Sequence, residues 1–129
     1  MIYVETSVVL AQVLAEDRSP PEGLWTATPI SSRLTEYEVW TRVHARGLGA
    51  SHGELVRLLL ARFGWLEMTP AVLARTLEPW PVSLRTLDAL HLASIEFLIS
   101  RRQDVMLASY DSRIIAAAQR LSIPLFPLQ

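Results

Sequence analysis

Four acidic residues stand out in this chain because of what surrounds them. Glu5 closes the apolar run of YVETS and is followed by two hydroxyls, and Asp111, in LASYDSR, closes a second run built alike. Asp88 falls in TLDALHLAS and Glu38 in LTEYEVWTRV. A carboxylate at the end of a buried run needs a partner, because an unpaired buried charge is costly. Taken singly, two of them have ordinary explanations: Asp88 complements a helix dipole, and Glu38 pairs with Arg42 at i,i+4. Drawn together, four carboxylates repel one another and raise their own pKa values unless a cation intervenes. The chain has no cysteine, and an all-oxygen donor set matches Mg²⁺ or Mn²⁺ rather than structural zinc.

The elements that must position these acids alternate between strand and helix. Ile2 to Val4 reads as a strand and Ser7 to Glu16 as a helix capped by Thr6 or Ser7. DRSPPEG is a turn, and TPISS a brief strand leading into a helix from Arg33 to Arg46, stopped by Gly47. Ser51 and Glu54 have the spacing of a capping box, with Leu55, Leu58, Leu59 and Phe63 following at helical intervals. WLEM reads as a strand, Thr69 and Pro70 start a helix that ends near Pro79, and EPWPVS is a linker. A helix from Thr86 to Ile99, a strand at VMLASY, a helix from Ser112 to Leu121 and a last strand at IPLF complete the chain. The expected fold class is α/β: one domain over residues 1–129, with a central parallel sheet flanked by helices on both faces. In such sheets, sites lie outside the carboxyl ends of the strands. Glu5 and Asp111 both sit at such ends.

Composition narrows the reading further. Half of the 129 residues are hydrophobic and 19% are charged, which suits a compact, core-rich domain. No apolar run is long enough to span a membrane, and Met1 leads into a strand without a signal-like segment. With zero cysteines a cytoplasmic location is expected. The net charge of −1 is not that of a strongly basic nucleic-acid binder, so any partner must be recognised locally. All twelve cations are arginine, so any mechanism that requires a lysine is excluded.

Four blocks now carry a resemblance: YVETSVVLAQVL, SSRLTEYEVWTRV, LRTLDALHLASI and LASYDSRIIAAAQRLSIPLFP. They resemble the motif blocks of PIN domains, in the same order and over nearly the whole chain, and are most similar to the VapC-type ribonuclease toxins of bacterial toxin–antitoxin pairs. The resemblance implies that Glu5 takes the first acidic position, where the family usually has Asp. It implies that Glu38 takes the second, within an S-x-L-x-x-x-E pattern, with Glu36 as the second choice. Asp88 and Asp111 correspond to the third and fourth, and Thr6 and Ser109 to hydroxyls that support the acids. It further implies Mg²⁺ or Mn²⁺ held by Glu5, Glu38, Asp88 and Asp111, RNA as substrate, a cognate antitoxin and a homodimer built on helices of the first half of the chain. Carboxylate-held Mg²⁺ suits phosphodiester hydrolysis, because it lowers the pKa of its water and clamps the oxygens of an in-line displacement.

Arg42, Arg46, Arg85 and Arg113 lie near the proposed acids and are the expected RNA contacts. His91 reads as a packed or hydrogen-bonded core residue, His44 and His52 as exposed. Trp25, Trp40, Trp65 and Trp80 read as core rather than as base-stacking surfaces. Two competing readings belong to other classes. A receiver-like phosphoacceptor domain is disfavoured by the absence of lysine. A PIN-like module weakened by Glu5 would bind RNA or an antitoxin without cleaving.

Overall fold

The computed structural model describes residues 1–128. Four short strands, β1 (Ile2–Val4), β2 (Ile30–Ser32), β3 (Gly64–Leu66) and β4 (Met106–Ala108), pair in parallel in the order β3-β2-β1-β4. Seven helices surround them: α1 (Thr6–Val13), α2 (Glu22–Thr26), α3 (Arg33–Ala45), α4 (Gly49–Leu60), α5 (Pro70–Thr76), α6 (Thr86–Ser100) and α7 (Ser112–Arg120). The α/β sandwich expected from the alternation is therefore observed. The chain leaves the central strand β1 toward β2 and β3, then returns to place β4 on the other side of β1. That reversal makes a crevice at the carboxyl ends of β1 and β4, where parallel sheets place their sites.

Strand periodicity divides the core. Tyr3 and Val4 point to opposite faces and both are fully buried, Tyr3 among Leu92, Ile95, Leu107 and Ile114 and Val4 among Val8, Leu24, Val39 and Val56. Burying each such aliphatic side chain is worth about 1.5–3 kcal/mol. Tyr3 pairs with Ile30 on one side and Leu107 on the other. β1 is thereby locked in register, and the residues that follow it are fixed relative to β2 and β4.

Several local expectations are corrected. α1 is capped by Glu5 rather than by Thr6 or Ser7, because the Glu5 carboxylate accepts the Ser7 N–H. The Ser51–Glu54 capping box does not form. α4 starts at Gly49, so Ser51 lies inside it and its hydroxyl donates to the Leu48 carbonyl. Leu59 and Phe63 are buried as the spacing suggests, whereas Leu55 and Leu58 are 45% and 61% exposed. Part of DRSPPEG begins the short helix α2, which Leu24 and Trp25 hold by burial. The IPLF strand is reduced to one parallel bridge, Leu107 with Leu125, flanked by Pro124 and Pro127, which lack the N–H a longer ladder would use. α3 ends as read, with Gly47 at φ 68° just past its last turn.

Candidate active site

Each acid is delivered by a different junction. Glu5 follows the last residue of β1, Asp111 follows β4 as the N-cap of α7, Asp88 lies in the first turn of α6, and Glu38 lies midway along α3. All four line one cleft of about 980 Å³, together with Thr6, Ser7, His91 and Arg18, Arg42, Arg46 and Arg85.

Glu5 is the most enclosed, at 5% exposure. Its Oε1 accepts from the Ser109 hydroxyl at 2.7 Å and the Ser7 hydroxyl at 2.5 Å, and its Oε2 accepts from the Ser7 N–H at 3.1 Å. Those hydroxyls also accept: Ser109 Oγ from the Asp111 N–H at 2.9 Å, and Ser7 Oγ from the Tyr110 N–H at 2.9 Å. The extra methylene of Glu, compared with Asp, thus reaches a pair of serines that bind the loop carrying Asp111. Burial raises the Glu5 carboxyl above its ordinary range, against the lowering effects of His91, Ser7 and Ser109.

Glu38 is held differently. Its Oε1 accepts from Thr6 Oγ1 at 2.7 Å and lies 2.6 Å from His91 Nε2. Burial alone would raise this carboxyl, but the hydrogen bonds from His91 and Thr6, with the charge of Arg42, outweigh it and hold Glu38 below the usual range. Asp88 moves the opposite way: burial and then the charge of Asp111 raise it, against Arg85 and His91. Asp111 accepts from the Arg113 and Ile114 N–H groups at 2.9 and 3.3 Å, both on Oδ1, which leaves Oδ2 for the cleft. Two half-exposed acids that repel each other, with a spare oxygen, are a site whose charge a cation would balance.

The chain matches the PIN domain family over residues 2–118. The chain belongs to that family. Among curated proteins it is similar to Ribonuclease VapC35 of Mycobacterium tuberculosis, found in strains CDC 1551 / Oshkosh and ATCC 25618 / H37Rv. The two are 34% identical over 132 residues, which cover 95% of this chain and 93% of that protein. It is also similar to Ribonuclease VapC47 of the CDC 1551 / Oshkosh strain, at 27% over 128 residues, or 94% and 92% of the two chains.

In this PIN domain the proposed site residues divide plainly. Glu5, Glu38, Asp88, Asp111, Thr6, Arg42, Arg46 and Arg85 meet in the cleft. Ser109 stands behind it as a partner of Glu5, and Arg113 is not among the lining residues. Glu36 points instead to Arg33, at 3.5 Å. His91 is buried and hydrogen-bonded, as its sequence context suggests, yet it reaches the cleft and contacts Glu38. Sequence reading missed that link, and also Ser7 and Arg18. The one available signal was the placement of His91 three residues after Asp88, nearly one helical turn. Among the described residues no three His, Asp or Glu side chains already form a cage for a metal ion.

Proposed function

We propose that this chain, one PIN domain over residues 1–129, is a Mg²⁺- or Mn²⁺-dependent endoribonuclease and the toxin of a toxin–antitoxin pair. The observation that carries the reading is the meeting of four acids, from four separate segments, in one arginine-rimmed cleft at the carboxyl ends of a parallel sheet. The names of its relatives, both ribonucleases, support the substrate class.

The donor set fits a hard divalent ion. It is all oxygen, Asp88 is raised partly by its neighbour Asp111, and Mg²⁺ commonly takes only one or two carboxylates and fills its shell with water and phosphate. A preformed cage is therefore unnecessary. Asp88 and Asp111 would hold the ion, with Glu38 as a further ligand or a water-orienting group and Glu5 as the fourth, most enclosed acid. When bound, the ion would lower the pKa of water and neutralise charge on the phosphate. Arg42 and Arg85, with Arg46 and Arg18, line the cleft and would meet the phosphates of a single strand. Arg113, beyond the cleft wall, would contact a flanking phosphate. In the hydrolysis a water oxygen bonds to phosphorus, the bond to the leaving ribose oxygen breaks, and that oxygen gains the proton lost by the water. Glu38, kept ionised, is the acceptor best suited to orient that water.

The reading extends to partners. A cognate antitoxin would silence the cleft, and a homodimer would use helices of the first half of the chain. The exposed Tyr37 on α3 and Leu55 and Leu58 on α4 support that surface. No helix among the described residues is long and apolar enough to cross a membrane, and a cytoplasmic location is proposed with the rest. The test is cleavage of a mixed RNA pool by purified protein in Mn²⁺, Mg²⁺ or EDTA, beside Asp111→Asn. Metal-dependent cleavage lost in the variant is the expected result. Cleavage no greater than that of Asp111→Asn would refute the nuclease and leave a non-cleaving binding module. A monomeric mass in light scattering would refute the dimer alone.

A further inference from the structure

Tyr3 is fully buried in the core of β1, and His91 is 1% exposed on α6. Neither is required by packing, since a phenylalanine and a leucine would fill comparable space without polar atoms to satisfy. Instead they form a continuous line. The Ser32 N–H donates to Tyr3 Oη at 3.2 Å, Tyr3 Oη lies 2.7 Å from His91 Nδ1, and His91 Nε2 lies 2.6 Å from Glu38 Oε1.

The direction of the line follows from its ends. Glu38 Oε1, which already takes the Thr6 hydroxyl, is a carboxylate oxygen and accepts, so Nε2 carries the hydrogen of the imidazole. Tyr3 Oη already accepts from the Ser32 N–H, so its own hydrogen points to Nδ1, 2.7 Å away. Neutral histidine, with one donor and one acceptor nitrogen, is the side chain that fits between a phenol and a carboxylate. Thr6 Oγ1 adds a second bond to the same Glu38 oxygen and is itself 3.2 Å from Thr35 Oγ1, which lies 2.7 Å from Ser31 Oγ. Both groups therefore grip Oε1, and Oε2 is the oxygen left to the cleft.

We infer that Tyr3 and His91 are positioning residues, a buried relay from the β2 backbone that fixes the rotamer of Glu38 and aims its second oxygen into the cleft. The inference rests on the nuclease reading above, because that oxygen acts on the water or cation of the reaction. Outer partners of this kind usually change activity or metal affinity by about 10–100-fold when removed.

Two measurements on the full chain decide it. Long-range proton–nitrogen NMR of the metal-free protein is expected to show His91 as the Nε2–H tautomer, and an Nδ1–H tautomer would overturn the relay whatever the activity. Steady-state cleavage of an RNA oligonucleotide is then compared for wild type, Tyr3→Phe, Glu38→Gln and the double variant. Tyr3→Phe is expected to lower kcat about 10-fold with KM unchanged, and to add nothing in the Glu38→Gln background. His91→Gln, whose amide keeps a donor for Glu38, is expected to recover most of what His91→Leu loses. An equal loss from Tyr3→Phe with and without Glu38 would mean a merely structural role and would overturn the inference. A wild type that cleaves no RNA would instead remove the nuclease reading, and the catalytic use of the relay with it.

Discussion

Shortening Glu5 to aspartate tests whether the unusual acid at the end of β1 is adapted to its surroundings or is a defect in an inherited site. The substitution withdraws the carboxylate by one carbon–carbon bond, about 1.5 Å. Aspartate is itself a good N-cap, so the bond from the Ser7 N–H at 3.1 Å is expected to survive. The bond from Ser109 at 2.7 Å is not, because the gap would widen to about 4 Å. Losing a hydrogen bond to a charged group costs about 1.5–3 kcal/mol, and the missing methylene about 0.8 kcal/mol more. The sum is about 2–4 kcal/mol, which for a domain of this size lowers Tm by about 10 °C. Ser109 also receives the Asp111 N–H, so the loop carrying Asp111 loosens and metal-dependent cleavage falls. Calorimetric melting without metal and cleavage in Mn²⁺ measure the two consequences. Ser109→Ala should give a comparable loss of Tm, and the double variant much less than the sum, because both substitutions delete the same bond. A Glu5→Asp protein that melts as wild type and cleaves tenfold faster, a gain of about 1.4 kcal/mol at the transition state, would refute the reasoning.

Asp111→Asn should weaken Mn²⁺ binding by calorimetry, since it removes the charge that raises Asp88 and one of the two acids assigned to the ion; unchanged affinity would reject that assignment. Glu5 has a carboxyl raised above its ordinary 4.5, so the native chain keeps that proton to higher pH than the unfolded chain does. Its contribution to stability is therefore complete below 4.5 and is lost as pH rises through the raised value, and in EDTA Glu5→Gln should flatten this part of the stability–pH curve. Arg75 binds Glu96 at 2.7 and 3.3 Å and lies 3.6 Å from the Trp80 ring centre, tying α5 and its following loop to α6. With both partners about one-quarter exposed, Arg75→Met should cost about 1–2 kcal/mol, read as a lower urea midpoint at constant m.

That four acids would converge on one cleft was legible because they break strong local patterns. Glu5 and Asp111 end apolar runs that fold as parallel strands, and a strand's carboxyl end has one place to be in such a sheet. Asp88 was legible from its position in the first turn of a long apolar helix. Glu38 was less so, since its i,i+4 neighbour Arg42 offered a sufficient local partner, and the bonds that actually hold it come from β1–α1 and α6. The missed helix α2 and the misplaced start of α4 have a related cause. Five residues around Leu24 and Trp25 carry too little local signal, and their helix is kept by burial against elements far along the chain.

The alternation of strand and helix, the four acids that interrupt it and the exclusion of lysine and thiolate chemistry can be read from the chain alone, because periodicity and residue type are local properties. Tertiary structure decided which oxygen of each acid is tied down, that Ser7 and Ser109 link Glu5 to the Asp111 loop, and that His91 joins Tyr3 to Glu38. Those contacts span from 2 to 104 positions along the chain. The longest of them exist only because β4 returns to pair beside β1, which brings the two ends of the sequence to one edge of the sheet.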